Sequence, residues 1–167
     1  MDNSFFAYIQ ELELIAFFSG FPLIYVVILF ASGCFNLKQD FKDRLKQLLS
    51  FGYALVGTLY LGLIVRNLYP GYSLETIQNP YLTGWGILAV FFWIPALSKK
   101  TMISLMHSLV IFSLLVKNQL MQLISNSPDI NMVRNNMKIY NISLILNLGT
   151  FSCLLLLTFV LNNFKKR

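Results

Sequence analysis

Five runs of apolar residues, each near the length of a membrane-spanning helix, limit what this chain can fold into more than any other feature. They cover residues 12–35, 48–65, 81–97, 101–123 and 140–160 of the 167. A hydrocarbon core about 30 Å thick needs roughly 20 apolar residues per helical crossing, and each run meets or approaches that length. Composition supports this reading. With 56% hydrophobic and 12% charged residues, the chain has about half the charged share of a soluble domain and too little polar surface for water. The expected class is an all-α, polytopic integral membrane protein of about five transmembrane helices, forming a single transmembrane domain over residues 1–167.

Only Ser98, Lys99 and Lys100 separate the third run from the fourth, with Pro95 just before them. One continuous helix would put both lysines in mid-membrane at about 3 kcal/mol each. A tight hairpin that leaves them among the headgroups is the cheaper arrangement.

Basic residues in short connectors set the orientation. Lys38, Lys42, Arg44 and Lys46 follow the first run, Lys99 and Lys100 the third, and Lys165, Lys166 and Arg167 the fifth. The opposite side receives Asp2, a 68–80 loop without lysine or arginine, and a connector with Arg134 and Lys138. This predicts the N-terminus outside and the C-terminus in the cytoplasm. The expected setting is a cell membrane such as the bacterial cytoplasmic membrane. The net charge of +6 is then accounted for by positive-inside anchors and anionic lipid headgroups, and no basic–aromatic pattern points to nucleic acid.

Two processing signals fail on their context. Ala31-Ser32-Gly33-Cys34 resembles a lipoprotein cleavage box, but Glu11 and Glu13 precede its apolar run where a signal peptide would be basic. Asn141-Ile142-Ser143 matches a glycosylation acceptor at the entrance of a span, where a glycan has little room. Cys34 and Cys153 lie in apolar runs and read as buried small hydrophobes without a disulfide.

Inside the runs, helix packing in lipid depends on small residues and on polar residues seeking partners. Ser50, Ala54, Thr58 and Gly62 recur every fourth position and predict a helix-packing seam. Pro22, in Ser19-Gly20-Phe21-Pro22, predicts a static kink in the first span. Ser143, Asn147 and Thr150 fall on one face of the last span, which should point inward.

The connectors also carry a pattern. Residues 37–48 place Leu37, Phe41, Leu45 and Leu48 on one helical face, predicting a short amphipathic cytoplasmic helix with Asp40 and Arg44 spaced to pair. Ser127-Pro128-Asp129 is a helix-start signal. It predicts an outer helix extension over 127–139, whose apolar stripe of Ile130, Val133 and Met137, continuing to Tyr140, faces a partner or the 68–80 loop. Tyr69, Tyr72, Tyr81 and Trp85 suit an interfacial aromatic belt.

Ionisable groups in spans are the candidates for function. Glu11, Glu13, Arg66 and Lys117 all fall in the outer leaflet of the expected topology, as an intramembrane polar or ion-pair site. Asn118, Gln119 and Gln122 make that part of the fourth span the most polar membrane stretch, so Lys117 should face protein or a wet cavity. His107 is the only histidine and reads as a hydrogen-bonded helix contact. With Met102 and Met106 it offers at best a soft ligand set. No zinc-protease helix, aspartate pair or phosphate loop is present, so no catalytic residue, metal site or cofactor is expected. The functional expectation is a noncatalytic small membrane subunit or accessory, scaffolding protein of a larger membrane complex. Its partners would be membrane lipids and other membrane subunits, or copies of itself. The alternative is a small oligomeric transporter or channel built around the charged cluster.

Overall fold

The computed structural model describes residues 3–34, 39–69, 77, 79–125 and 129–164. Among them every regular element is helical: α1 (Asn3–Phe18), α2 (Phe21–Cys34), α3 (Gln39–Leu68), α4 (Pro80–Leu88), a 3-10 segment (Ala89–Trp93), α5 (Pro95–Ser98), α6 (Thr101–Ile124) and α7 (Ile130–Phe164). Four stretches among the described residues are long and apolar enough to cross a membrane: Tyr8–Cys34, Gln39–Leu68, Thr101–Ile124 and Ile130–Leu161. The chain is an all-α polytopic membrane protein.

The remaining expected run, 81–97, is not one continuous helix. α4 tightens into 3-10 geometry at Ala89 and ends at Ile94, whose backbone is extended (φ −70°, ψ 122°). Pro95 explains that ending, because its ring drives the preceding residue out of helical geometry. Pro95 then opens α5, where its missing N–H costs nothing. Lys99 and Lys100 are exposed in the turn before α6, as the hairpin expectation required.

One connector expected as a separate piece belongs to a longer helix. The 37–48 segment does not form its own surface helix, since from Gln39 onward it is the start of a 30-residue α3. Nothing in that stretch breaks a helix, so the hydrogen-bond ladder continues into the span. Asp43 there accepts from Gln39 Nε2 at 3.2 Å and meets Lys46 Nζ at 3.7 Å, and is the acid paired in that turn in place of Asp40. The last helix begins well before its apolar span, as the helix-start signal predicts: from Ile130 the extension and the 140–160 span form a single 35-residue α7. Ser127 and Pro128 lie outside the described residues. Asp129 itself supplies the cap, its Oδ1 accepting from Asn131 N at 2.9 Å and Met132 N at 3.3 Å.

Phe18, Tyr53 and Tyr60, buried to 1% exposure or less, occupy the centre of the core with Leu14, Ile15 and Val56. Phe18 contacts both tyrosine rings edge-on at 5.5 and 5.4 Å between centroids. This is the favourable geometry for aromatic pairs and needs no polar partner in lipid. Outward-facing leucines, isoleucines and phenylalanines cover the rest, notably Phe30, Ile145 and Leu161. Cys34 and Cys153 are free and exposed, against the expectation of burial. In a lipid-facing position a thiol behaves as one more small apolar group.

Candidate functional site

Two polar constellations stand out among the described residues inside the bundle. The first is at Ser19 and Gly20, which separate α1 from α2. Pro22 has no N–H and cannot continue the ladder through this point, so the first span breaks rather than bends. The loosened groups find partners on α7. Gly20 N donates to Ser143 Oγ at 2.8 Å, and Asn147 Nδ2 donates to the Phe17 carbonyl at 2.8 Å and to the Ser143 carbonyl at 2.8 Å. Ser143, Asn147 and Thr150 are all buried, as their common face predicted. Ser19 closes its own turn by donating to the Ile15 carbonyl at 2.7 Å.

Glycine is required at position 20 by contact rather than by conformation. A Cβ there would lie 2.6 Å from Leu144 N and 2.7 Å from the Ser143 carbonyl carbon, so α7 backbone occupies that space. Broken helices can hold ions through freed carbonyls. Here α7 side chains already hold the break, which makes it a structural joint.

The second constellation surrounds His107 on α6. Its Nε2 is 2.9 Å from the Trp85 carbonyl oxygen, which can only accept, so Nε2 carries the hydrogen. In the neutral ring Nδ1 then accepts from Tyr53 Oη, 2.6 Å away. Trp85 stacks on the imidazole with ring centroids 4.8 Å apart and planes 4° from parallel, and its Nε1 donates to the His107 carbonyl at 3.3 Å. Phe18 and Phe92 pack edge-on around the same ring. One residue thus ties α3, α4 and α6 together. Both ring nitrogens are occupied, one by a carbonyl that cannot relay a proton, so the arrangement suits fastening rather than proton transfer. Met102 and Met106 are about two-thirds exposed on another face of α6 and do not join His107 in a ligand set. Trp85, expected in the aromatic belt, is instead committed to this contact, whereas Tyr69 and Tyr81 are exposed; Tyr72 lies outside the described residues.

Smaller hydroxyl contacts continue along the same face of α6. Ser104 meets Ser50 at 3.2 Å and Thr101 meets Tyr25 at 3.2 Å. Of the expected seam, Ser50 and Ala54 are buried within the chain, whereas Thr58 and Gly62 are exposed on its surface. The helix turns its Gly57 face inward instead. A Cβ on Gly57 would lie 2.7 Å from Ala89 Cβ and 2.9 Å from the Ala89 carbonyl carbon, whereas one on Gly62 would meet nothing within 4 Å. Thr58 accepts from Trp93 Nε1 at 2.8 Å at the edge of the same contact.

The expected cluster of Glu11, Glu13, Arg66 and Lys117 does not assemble as ion pairs among the described residues. Asn118 Nδ2 donates to Glu11 Oε1 at 3.0 Å, and Glu13 is half-buried on the same helix as Glu11. Arg66 and Lys117 are exposed. The helical turn explains this result. Asn118 and Gln119 point toward α1 and α7, the latter donating to the Val133 carbonyl at 3.4 Å, so Lys117 is rotated away from protein. Among the described residues of this chain Lys117 therefore meets no protein partner, and the protein or wet cavity expected beside it is not supplied by the chain's own described helices. The neighbours of Lys117 are Ser113, Val116, Leu120, Met121 and Ile124, which form an open strip along one face of α6. On the α7 extension Ile130 and Met137 are exposed and Val133 is half-buried, while Asn136 is the buried residue of that turn.

No protein-family model, curated protein or solved structure matches the chain.

Proposed function

We propose that this chain is a noncatalytic subunit or accessory protein of a larger membrane assembly. One observation carries the reading. Lys117 stands exposed amid apolar side chains within a span, a placement that costs several kcal/mol unless another molecule satisfies the charge. The interior supports it. The His107 ring nitrogens, the Asn147 amide nitrogen and the Ser143 hydroxyl bond the chain's own helices together, and Glu11 is held by Asn118. A small oligomeric transporter is less favoured, because its charged cluster would have to form from residues that here face different neighbours.

Gentle detergent extraction followed by native mass spectrometry tests this. A particle containing the 19.2 kDa chain together with different subunits is the expected result. A homo-oligomer, at whole multiples of that mass, or a lone chain refutes it.

We propose that the broken 80–98 segment also crosses, and that the N-terminus lies outside and the C-terminus in the cytoplasm of a cell membrane such as the bacterial cytoplasmic membrane, an orientation the basic connectors favour. Single cysteines introduced at Lys42 and Glu75, after replacement of exposed Cys34 and Cys153, check the orientation. An impermeant thiol reagent applied outside should modify the Glu75 position and spare the Lys42 position. The reverse pattern would invert the topology.

A further inference from the structure

We infer that the outer face of α6 receives a transmembrane helix of another protein, one that carries a carboxylate at the depth of Lys117. This rests on the subunit reading above and specifies the partner's chemistry. Ser113, Val116, Lys117, Leu120, Met121 and Ile124 form this open strip. They follow one another at intervals of three, one, three, one and three, the spacing of a single helical stripe of the kind that packs against another helix. Met102, Met106, Leu109 and Val110 prolong the same exposed face toward the other end of α6. A face of leucine, valine and methionine alone would be satisfied by lipid. The cation is what distinguishes it.

Lys117 lies seven residues before the end of the 24-residue α6, about 10 Å below that end at 1.5 Å per residue. At that depth a paired acid relieves the charge more directly than a stretched side chain does.

The chain's own acids cannot fill this role from a second copy. Among the described residues the acids in its apolar spans besides the α3 connector are Glu11 and Glu13, both half-buried on α1 against the chain's own helices, with Glu11 already accepting from Asn118. A twofold dimer through α6 would also set one Lys117 against its equivalent. Charge complementarity therefore selects a different chain.

The test uses the purified full-length protein in phosphatidylcholine vesicles with polyleucine host helices bearing a single Glu, Gln or Leu about 10 Å from the matching end. Energy transfer from labelled protein to labelled helix reports association. The Glu host should reach half-maximal transfer at a helix-to-lipid ratio at least ten-fold lower than the Leu host. Lys117→Leu should remove that preference, and Lys117→Glu should transfer it to a host bearing Lys. Lys117 is exposed, so these variants keep the fold, which circular dichroism verifies. Equal transfer to Glu and Leu hosts, as expected if Lys117 only reaches for lipid phosphate, overturns the inference. So does a Glu preference that survives Lys117→Leu, or self-association of the protein that requires Lys117. A heteromeric native particle combined with equal transfer would leave the subunit reading standing and move its interface elsewhere. A Glu preference in a protein that extracts only as a homo-oligomer would refute the subunit reading alone.

Discussion

Gly20→Ala should destabilise the folded bundle by about 3 kcal/mol, an overpacking cost at the upper part of the usual range. The added methyl would sit 2.6–2.8 Å from backbone atoms of Ser143 and Leu144. Backbone cannot rotate aside as a flexible side chain can, so α7 must move as a unit. That movement pulls Ser143 Oγ from Gly20 N and Asn147 from the Phe17 carbonyl, leaving polar groups of a broken helix without partners in a medium that offers none. Gly62→Ala is the matched comparison. It adds the same methyl to a helix position with nothing within 4 Å, and it should be neutral or stabilising by up to about 1 kcal/mol through helix propensity. Unfolding in mixed micelles by increasing denaturing detergent measures both. Equal midpoints for the two variants would show that the α2–α7 approach is not tight.

The His107 fastening should behave as a coupled unit. His107→Leu leaves a Tyr53 hydroxyl and a Trp85 carbonyl buried without partners and removes a stacked ring. The expected loss is about 2–3 kcal/mol. Tyr53→Phe, which only removes one donor, should cost about 1 kcal/mol, within the range of hydrogen bonds between membrane helices. In the double variant no tyrosine hydroxyl remains to be stranded by the loss of the imidazole, so its destabilisation should fall short of the summed single losses by about 1 kcal/mol. The same detergent titration supplies all four corners of the cycle. Strict additivity would mean that the two side chains are held independently, contrary to a 2.6 Å contact.

The sequence reveals which face of a helix is special better than it reveals what that face meets. Ser143, Asn147 and Thr150 recur at helical spacing, and that spacing is enough to turn them inward. Their target, the Phe17 carbonyl and Gly20 amide, lies about 130 residues away and leaves no trace in local pattern. Pro22 marks a distortion correctly, but a break differs from a bend only through the partners available on α7. The small-residue stripe meets the chain's own helices at only part of its length for a related reason. Position 54 and position 58 share a face in projection, yet the approach of the 3-10 segment at Ala89 decides where the seam runs, and Gly57 fits beneath it. Lys117 shows the limit most clearly. Its polar neighbours Asn118 and Gln119 suggest a polar surrounding, but adjacent residues on a helix point about 100° apart, so their inward turn sends the lysine outward.

The joint at Gly20 also orders events during synthesis. Its two fasteners arrive late, Ser143 following Gly20 by 123 residues. At roughly 5–20 residues per second the ribosome needs about 6–25 s to cover that interval. During this time the first span is already made, with its midpoint unlocked. The N-terminal third of the protein therefore reaches its final shape only when the last helix enters the bilayer, and the youngest segment completes the oldest.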